Sequence, residues 1–209
     1  DYEKVLGALK KWVKKAESEV DAYYRELLHH IFLIISMSGM RSGEMLNIRN
    51  RDLRLIPTRN EIVVRISEAI TKTRKARDIT IGESYGGRVG GTPINYLSRW
   101  LDRYQLHKEP EARVFALFSK PEGDATDGLY RGYMSFREDL VMAGVGYWDL
   151  YHCRHNYATK AIQLGLPLAM IANSMGNSTA VLERTYSHLL SEQTSRAITK
   201  ARNEGLATA

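Results

Sequence analysis

The sequence predicts a mainly α-helical domain with a small antiparallel β-sheet. Apolar residues recur at helical spacing through most of the chain, as in Val5, Leu6, Leu9, Trp12 and Val13. That period marks helices with one buried face. Two stretches instead alternate with the period of a strand, Ile62-Val64-Ile66 and Ile79-Ile81. They are close in sequence and joined by a short segment, so they pair most simply as an antiparallel hairpin.

Composition sets the outer bounds. With 209 residues, 44% of them hydrophobic, the chain can bury the core of one domain. No stretch approaches the ~20 apolar residues of a membrane span, so no membrane partner is expected. Cys153 is the only cysteine, which excludes an intrachain disulfide. Lys and Arg total 30 against 24 Asp and Glu, a net charge of +6. An excess of that sign favours polyanions, nucleic acid first, although many basic proteins bind none.

Residues 1–20 are expected to form an amphipathic helix whose Lys10, Lys11, Lys14 and Lys15 either follow phosphates or face water. Asp21 is a suitable N-cap for the next helix. Its Tyr24, Leu27, Leu28, Ile31, Phe32, Leu33 and Ile35 are apolar nearly all round at the end, which places it in the core. Gly39 can close it in the left-handed conformation. Ser42 is expected to cap a second, short helix, leaving Arg41 at the junction. An arginine between buried helices is paired or faces an anion, and Glu44, one turn on, is placed to hold it.

Residues 71–77 join the two strands and carry Lys72, Arg74, Lys75 and Arg77. A solvated turn accounts for one or two cations; four point towards a phosphate contact. The glycine-rich stretch 82–91 reads as a loop, without the strand-to-helix setting of a nucleotide-binding fingerprint. Thr92 and Pro93 start a helix with Ile94, Leu97, Leu101 and Tyr104 inward. Residues 114–118 form a strand or a core-crossing segment, and 121–128 a polar turn. Leu129, Tyr133, Phe136 and Leu140 mark a further helix ending near Gly144.

Asp149 caps the helix that carries Arg154, with Leu150, Tyr157, Ala158, Ala161 and Leu164 inward and Gly165 at its end. Pro167 opens the next helix, with Leu168, Ile171 and Met175 inward. Gly176-Asn177-Ser178 is a tight turn, and Ser178 or Thr179 caps a short helix through Tyr186. The tail from 191 is helical to about Asn203. His152, Cys153 and His155 crowd one helix too closely for a tetrahedral metal site, so no metal is expected.

Arg154 and Tyr186 are the residues with chemistry to explain. A guanidinium grips a phosphodiester as a planar fork, and a tyrosine hydroxyl can attack phosphorus and hold it covalently. Taken singly, such a tyrosine is more often a packed aromatic, and Arg41 and Arg154 more often ion-paired surface arginines.

Five stretches, in one order, change that balance: SGMRSGEMLNIRNRDL, TKTRKARDITI, YHCRHNYATKAI, LPLAMIANSMGNS and LERTYSHL. Together they resemble the two arginine boxes, lysine hairpin, glycine turn and tyrosine box of the tyrosine recombinases (phage-type integrases). The resemblance covers roughly residues 21–190, the family's DNA breaking-rejoining catalytic domain. It implies that Arg41 and Arg154 clamp the scissile phosphate and that Tyr186 is the nucleophile. Lys72 would protonate the leaving 5′-oxygen, with Lys75 the alternative, and Glu44 would steady Arg41. His155, following the second arginine, is a supporting residue in such proteins; His188, two residues past Tyr186, reads as a local packing or hydrogen-bonding residue.

Two positions depart from the family pattern. Tyr151 stands where a histidine or lysine usually precedes the second arginine, and Asn177 where a histidine or tryptophan usually follows the glycine turn. Both can donate a hydrogen bond, but Tyr151 is a poor proton shuttle near neutral pH. They suggest a divergent branch, such as archaeal virus or plasmid integrases.

The resemblance further implies double-stranded DNA as partner, a homo-oligomer (a tetramer on DNA, with a monomer in solution as the alternative), no metal or nucleotide cofactor, and a place in the cytoplasm or nucleoid of the cell or host. It divides the chain into a basic linker helix (1–20), the catalytic domain (21–190) and a tail helix (191–209) that docks on its own domain or on a neighbouring protomer. At this length the chain is expected to be a catalytic domain alone or a minimal enzyme. Two rivals stay open: relaxation of DNA in the manner of a type IB topoisomerase, and a regulator that binds DNA on the same fold without chemistry.

Overall fold

The computed structural model describes residues 2–72, 74–82, 93–103 (side chains from 97), 109–115 and 136–203. The expectations for 83–92, Ile94, Tyr104, 116–118, 121–128, Leu129, Tyr133 and the end of the tail lie outside these residues. Seven helices are followed below: α1 (Tyr2–Lys14), α2 (Glu19–Ser38), α3 (Ser42–Met45), α4 (Pro93–Arg103), α5 (Leu150–Gln163), α6 (Leu168–Met175) and α7 (Thr179–Asn203). Residues 136–142 are also helical. Three strands, β1 (Leu53–Ile56), β2 (Glu61–Ile66) and β3 (Arg77–Ile81), form one antiparallel sheet in the order β1-β2-β3. The mainly helical class with a small antiparallel sheet is therefore as predicted.

α2 is the central element because its second half is apolar all round. From Ile31 to Ser38 every residue is buried, and the helix packs against α1, α4, α5 and β3. α1 joins this core, with Val5, Leu6, Leu9 and Trp12 buried and the Trp12 ring 5.3 Å from that of Phe136. Its lysines are left on the other side, and Lys15 beyond its end pairs with Asp139 at 2.5 Å. Among the described residues no helix is long and apolar enough to cross a membrane.

A second apolar cluster is built by α5, α6 and α7 from Tyr157, Ala158, Ala161, Ile162, Ile171, Ala172, Met175, Leu182 and Tyr186. α5 serves both clusters, since its Cys153 belongs to the first. Burial pushes the Cys153 thiol up to about 12, so it behaves as a small apolar side chain. Gly39 lets the two clusters meet. It ends α2 at φ 66°, and a Cβ there would lie 2.8 Å from Tyr157 Cε1 and 2.9 Å from Met175 Cγ. Only glycine turns the chain there and admits α5 and α6 so closely.

Several local expectations change. α2 starts two residues before Asp21: Ser18 is its N-cap and accepts from the Asp21 N–H at 3.1 Å, so Asp21 sits in the first turn and pairs with Arg25. Arg41, not Ser42, holds the N-cap position of α3, and its own N–H is bonded by Glu44. Leu164 is 63% exposed because it is the C-terminal cap of α5, past the buried face. The short helix through Tyr186 and the helical tail follow one another across a kink at Tyr186 (φ −117°, ψ 22°), and α7 denotes the pair.

Candidate active site

The site forms where α3, the α6–α7 turn, the N-terminal half of α5 and the kink of α7 converge. Arg41 leaves the turn after Gly39 with its backbone held at Glu44: its N–H donates to Glu44 Oε2 at 3.0 Å. Its guanidinium donates Nη1 to Glu44 Oε1 at 3.2 Å, and Nη2 to the Gly176 carbonyl at 2.8 Å and Asn177 Oδ1 at 2.9 Å. Glu44 therefore holds Arg41 as expected, and the glycine turn holds it from the other side.

Glu44 is only 2% exposed and answers a second arginine more fully than the first. Arg77 donates Nη1 to its Oε1 at 3.1 Å and Nη2 to its Oε2 at 2.8 Å, a two-pronged contact. Burial alone would push the Glu44 carboxyl up, but the bonds and charges of Arg77 and Arg41 outweigh it and hold it below the usual carboxylate value. Arg77 also donates to the Ser174 carbonyl and to Thr71 Oγ1. Of the four cations in the strand connection, this one turns inward. The signal was in the sequence: Arg77 shares the parity of the buried Ile79 and Ile81.

Gly176 is fitted to these two arginines. Its φ is +62°, and a Cβ would lie 2.7 Å from Arg77 Cζ and 2.8 Å from Arg41 Nη1. The turn is glycine because the guanidinium groups fill the space a side chain would take.

Arg154 enters from the buried face of α5 and is 7% exposed. Its Nη1 donates to the Gly39 carbonyl, which ties α5 to the end of α2. Burial lowers its pKa to about 10, and the positive charges of Arg41 and Arg77 act in the same direction against Glu44. It is still a cation at neutral pH. Three guanidinium groups thus gather around one buried carboxylate, leaving positive charge in excess among the described residues.

Tyr186 is 5% exposed, and its Oη lies 2.5 Å from His155 Nδ1. Burial raises the phenol to about 12; Arg154 opposes the rise and Tyr151 adds to it. Arg41, Tyr151, Arg154, His155, Asn177 and Tyr186 all line one cleft of about 450 Å³. Tyr151 stands 63% exposed with its ring edge-on to His155, centroids 4.3 Å apart. With Asn177 Oδ1 taken by Arg41, its amide nitrogen keeps its protons for another acceptor. Five of the six predicted catalytic residues are therefore brought together.

The sixth, Lys72, and its alternative Lys75 are exposed on the β2–β3 connection and do not line the cleft. The connection is tethered to the site at its root, where Thr71 is buried against Arg77. His188 is exposed.

No protein-family model matches the chain. A tyrosine recombinase XerC-like protein of Caldanaerobacter subterraneus subsp. tengcongensis is 22% identical over 222 residues, covering 88% of this chain and 54% of that protein. The structure of XerH site-specific recombinase bound to palindromic difH substrate, a post-cleavage complex, superposes with a TM-score of 0.65 at 21% identity, over 94% of this chain and 50% of that one. XerA recombinase superposes with a TM-score of 0.61 at 18% identity, over 94% of this chain and 63% of that one. The fold is that of a tyrosine recombinase catalytic domain. The chain spans about half the length of the curated recombinase it matches. Within this recombinase fold the two departures from the family pattern, Tyr151 and Asn177, both face the cleft.

Proposed function

We propose that the chain is the catalytic domain of a site-specific DNA recombinase, or integrase, that cuts and rejoins DNA through a 3′-phosphotyrosyl link. The observation that carries this reading is the Tyr186 hydroxyl held in one cleft with Arg41 and Arg154, where cationic charge outnumbers the one carboxylate buried among the described residues, Glu44. A phosphodiester supplies the missing anion, and the phosphorane reached during transfer carries more negative charge than the ground state. Guanidinium groups already held in place favour it without reorganising.

In the proposed step Tyr186 Oη attacks phosphorus and the bond to the 5′-oxygen breaks. Arg41 and Arg154 bind the non-bridging oxygens, and the Asn177 amide nitrogen donates to one of them. The leaving 5′-oxygen takes a proton from Lys72, a role carried over from the family. Lys72 lies outside the described cleft lining, so that role implies a connection that folds over bound DNA. A 5′-hydroxyl from another strand reverses the step. Double-stranded DNA is the proposed partner, and the exposed stretch of α7 after Leu190 is a candidate contact between protomers assembled on it.

The test incubates the 209-residue protein with a pool of nicked duplexes of random sequence and recovers DNA bound covalently to protein. Wild type should yield an adduct that maps to Tyr186, and Tyr186→Phe should yield none. Tight DNA binding without an adduct would instead support a regulator on the recombinase fold. Among the recovered sequences, Lys72→Ala should cleave slowly and regain its rate on a substrate with a 5′-thiol leaving group. Rescue of Lys75→Ala instead would move the acid to Lys75.

A further inference from the structure

We propose that His155 is the base that takes the proton from Tyr186 as it attacks, a role left open here by Tyr151 in the place of the usual histidine or lysine. The inference rests on the recombinase reading and adds to it the residue that activates the nucleophile.

The geometry is direct. His155 Nδ1 is 2.5 Å from Tyr186 Oη, within the reach a general base needs. The two residues are 31 positions apart on different helices. The kink in α7 falls at Tyr186, which turns its side chain into the cleft beside α5. Tyr151, one helical turn before His155, meets the imidazole edge-on and limits its rotation. The residue in the family's usual proton-carrier position is thus a phenol that packs against the imidazole. In this arrangement the Tyr186 hydroxyl donates to Nδ1, and the neutral ring keeps its own proton on Nε2.

The need for a base is equally plain. With its phenol near 12, Tyr186 would be ionised in only about one molecule in 10⁵ at pH 7. His155 is kept in the form that accepts a proton. Burial lowers its pKa below the usual histidine value, His152 and Arg154 add to this, and Asp149 opposes. Those groups share α5 or its cap; Tyr186 faces it from α7, and Arg41 lines the same cleft. All but Asp149 and the neutral phenols disfavour a resident imidazolium.

The step balances. The Oη–H bond breaks and its proton moves to Nδ1. Oη bonds to phosphorus, the P–O5′ bond breaks, and the leaving oxygen takes its proton from Lys72. On rejoining, the 5′-hydroxyl of the incoming strand returns a proton to Lys72, and the imidazolium returns its own to the departing Tyr186.

Single-turnover cleavage of a nicked duplex recovered from the random-sequence pool tests the inference. His155→Gln keeps a side chain able to hydrogen-bond Tyr186 but unable to carry its proton. Its cleavage rate is expected to fall by ~10²–10⁴ with DNA binding retained. The wild-type rate should rise with pH to a plateau, with its midpoint below the usual histidine value, and His155→Gln should lose that plateau and go on rising. His155→Ala should recover rate when imidazole is added. Cleavage by His155→Gln at the wild-type rate with the wild-type pH profile overturns the inference and leaves the recombinase reading intact. The same holds if His155→Ala binds DNA, cleaves slowly and ignores imidazole. Absence of a Tyr186 adduct in wild type overturns both.

Discussion

Arg77→Met is expected to be the most destabilising single change at the site, by ~3–5 kcal/mol, because it leaves the Glu44 carboxylate buried without its main partner. Glu44 is 2% exposed and receives two hydrogen bonds from Arg77 against a single side-chain bond from Arg41. The Ser174 carbonyl and Thr71 lose a donor in the same change. Urea unfolding should show the midpoint falling by about 2 M for a domain of this size. Arg77→Lys should recover little, since an ammonium cannot bridge both carboxylate oxygens and reach Ser174 at once. Acid should erase the difference. The folded Glu44 pKa lies below its unfolded value, so its contribution is complete above the ordinary glutamate value of ~4.3 and is lost as pH falls through the folded one. Equal midpoints for wild type and Arg77→Met at neutral pH would show that the pair holds nothing together. Cleavage should fall with stability, because Arg41 depends on the same carboxylate.

This network also marks the limit of what the sequence discloses. The helices, the hairpin, the Gly39 and Gly176 turns and the Asp149 cap were legible because each depends on near neighbours in the chain. Arg41, Arg154 and Tyr186 were legible as a set through their resemblance to recombinase boxes. What escaped were contacts made across the fold. Arg77 looked like one more cation in a basic connection, although its parity with Ile79 and Ile81 pointed inward. Its partner is 33 residues upstream and its carbonyl acceptor 97 residues downstream. His155 likewise read as a supporting residue. The distance that changes its meaning is set by how α7 kinks against α5, which no local pattern encodes. The caps of α2 and α3 were missed by three residues and one residue, where several polar side chains competed for the cap.

Arg154→Met should have the opposite character: cleavage falls by ~10²–10³, the usual effect of losing one charge-stabilising donor, while the fold holds or gains stability. Arg154 is 7% exposed, yet among the described residues no carboxylate bonds it directly; its Nη1 donates to the Gly39 carbonyl. Burial and two neighbouring arginines drive its pKa down to about 10, so the folded protein holds this charge at a cost that is fully present at neutral pH. Methionine fills much of the same space and removes that cost, and a buried charge replaced by an apolar group is often neutral or stabilising. The lost bond to Gly39, made by a charged group, returns about 1.5–3 kcal/mol to the other side. Thermal melting and single-turnover cleavage, measured on the same preparation, check both halves. A destabilisation as large as that of Arg77→Met would make Arg154 a structural tie between α5 and α2. A stable, inactive Arg154→Met would mean that its charge is kept for an anion the folded protein does not itself contain. Arg77 and Arg154 would then divide the work by partner: one guanidinium is spent on Glu44 to hold the site together, and the other is kept for phosphate.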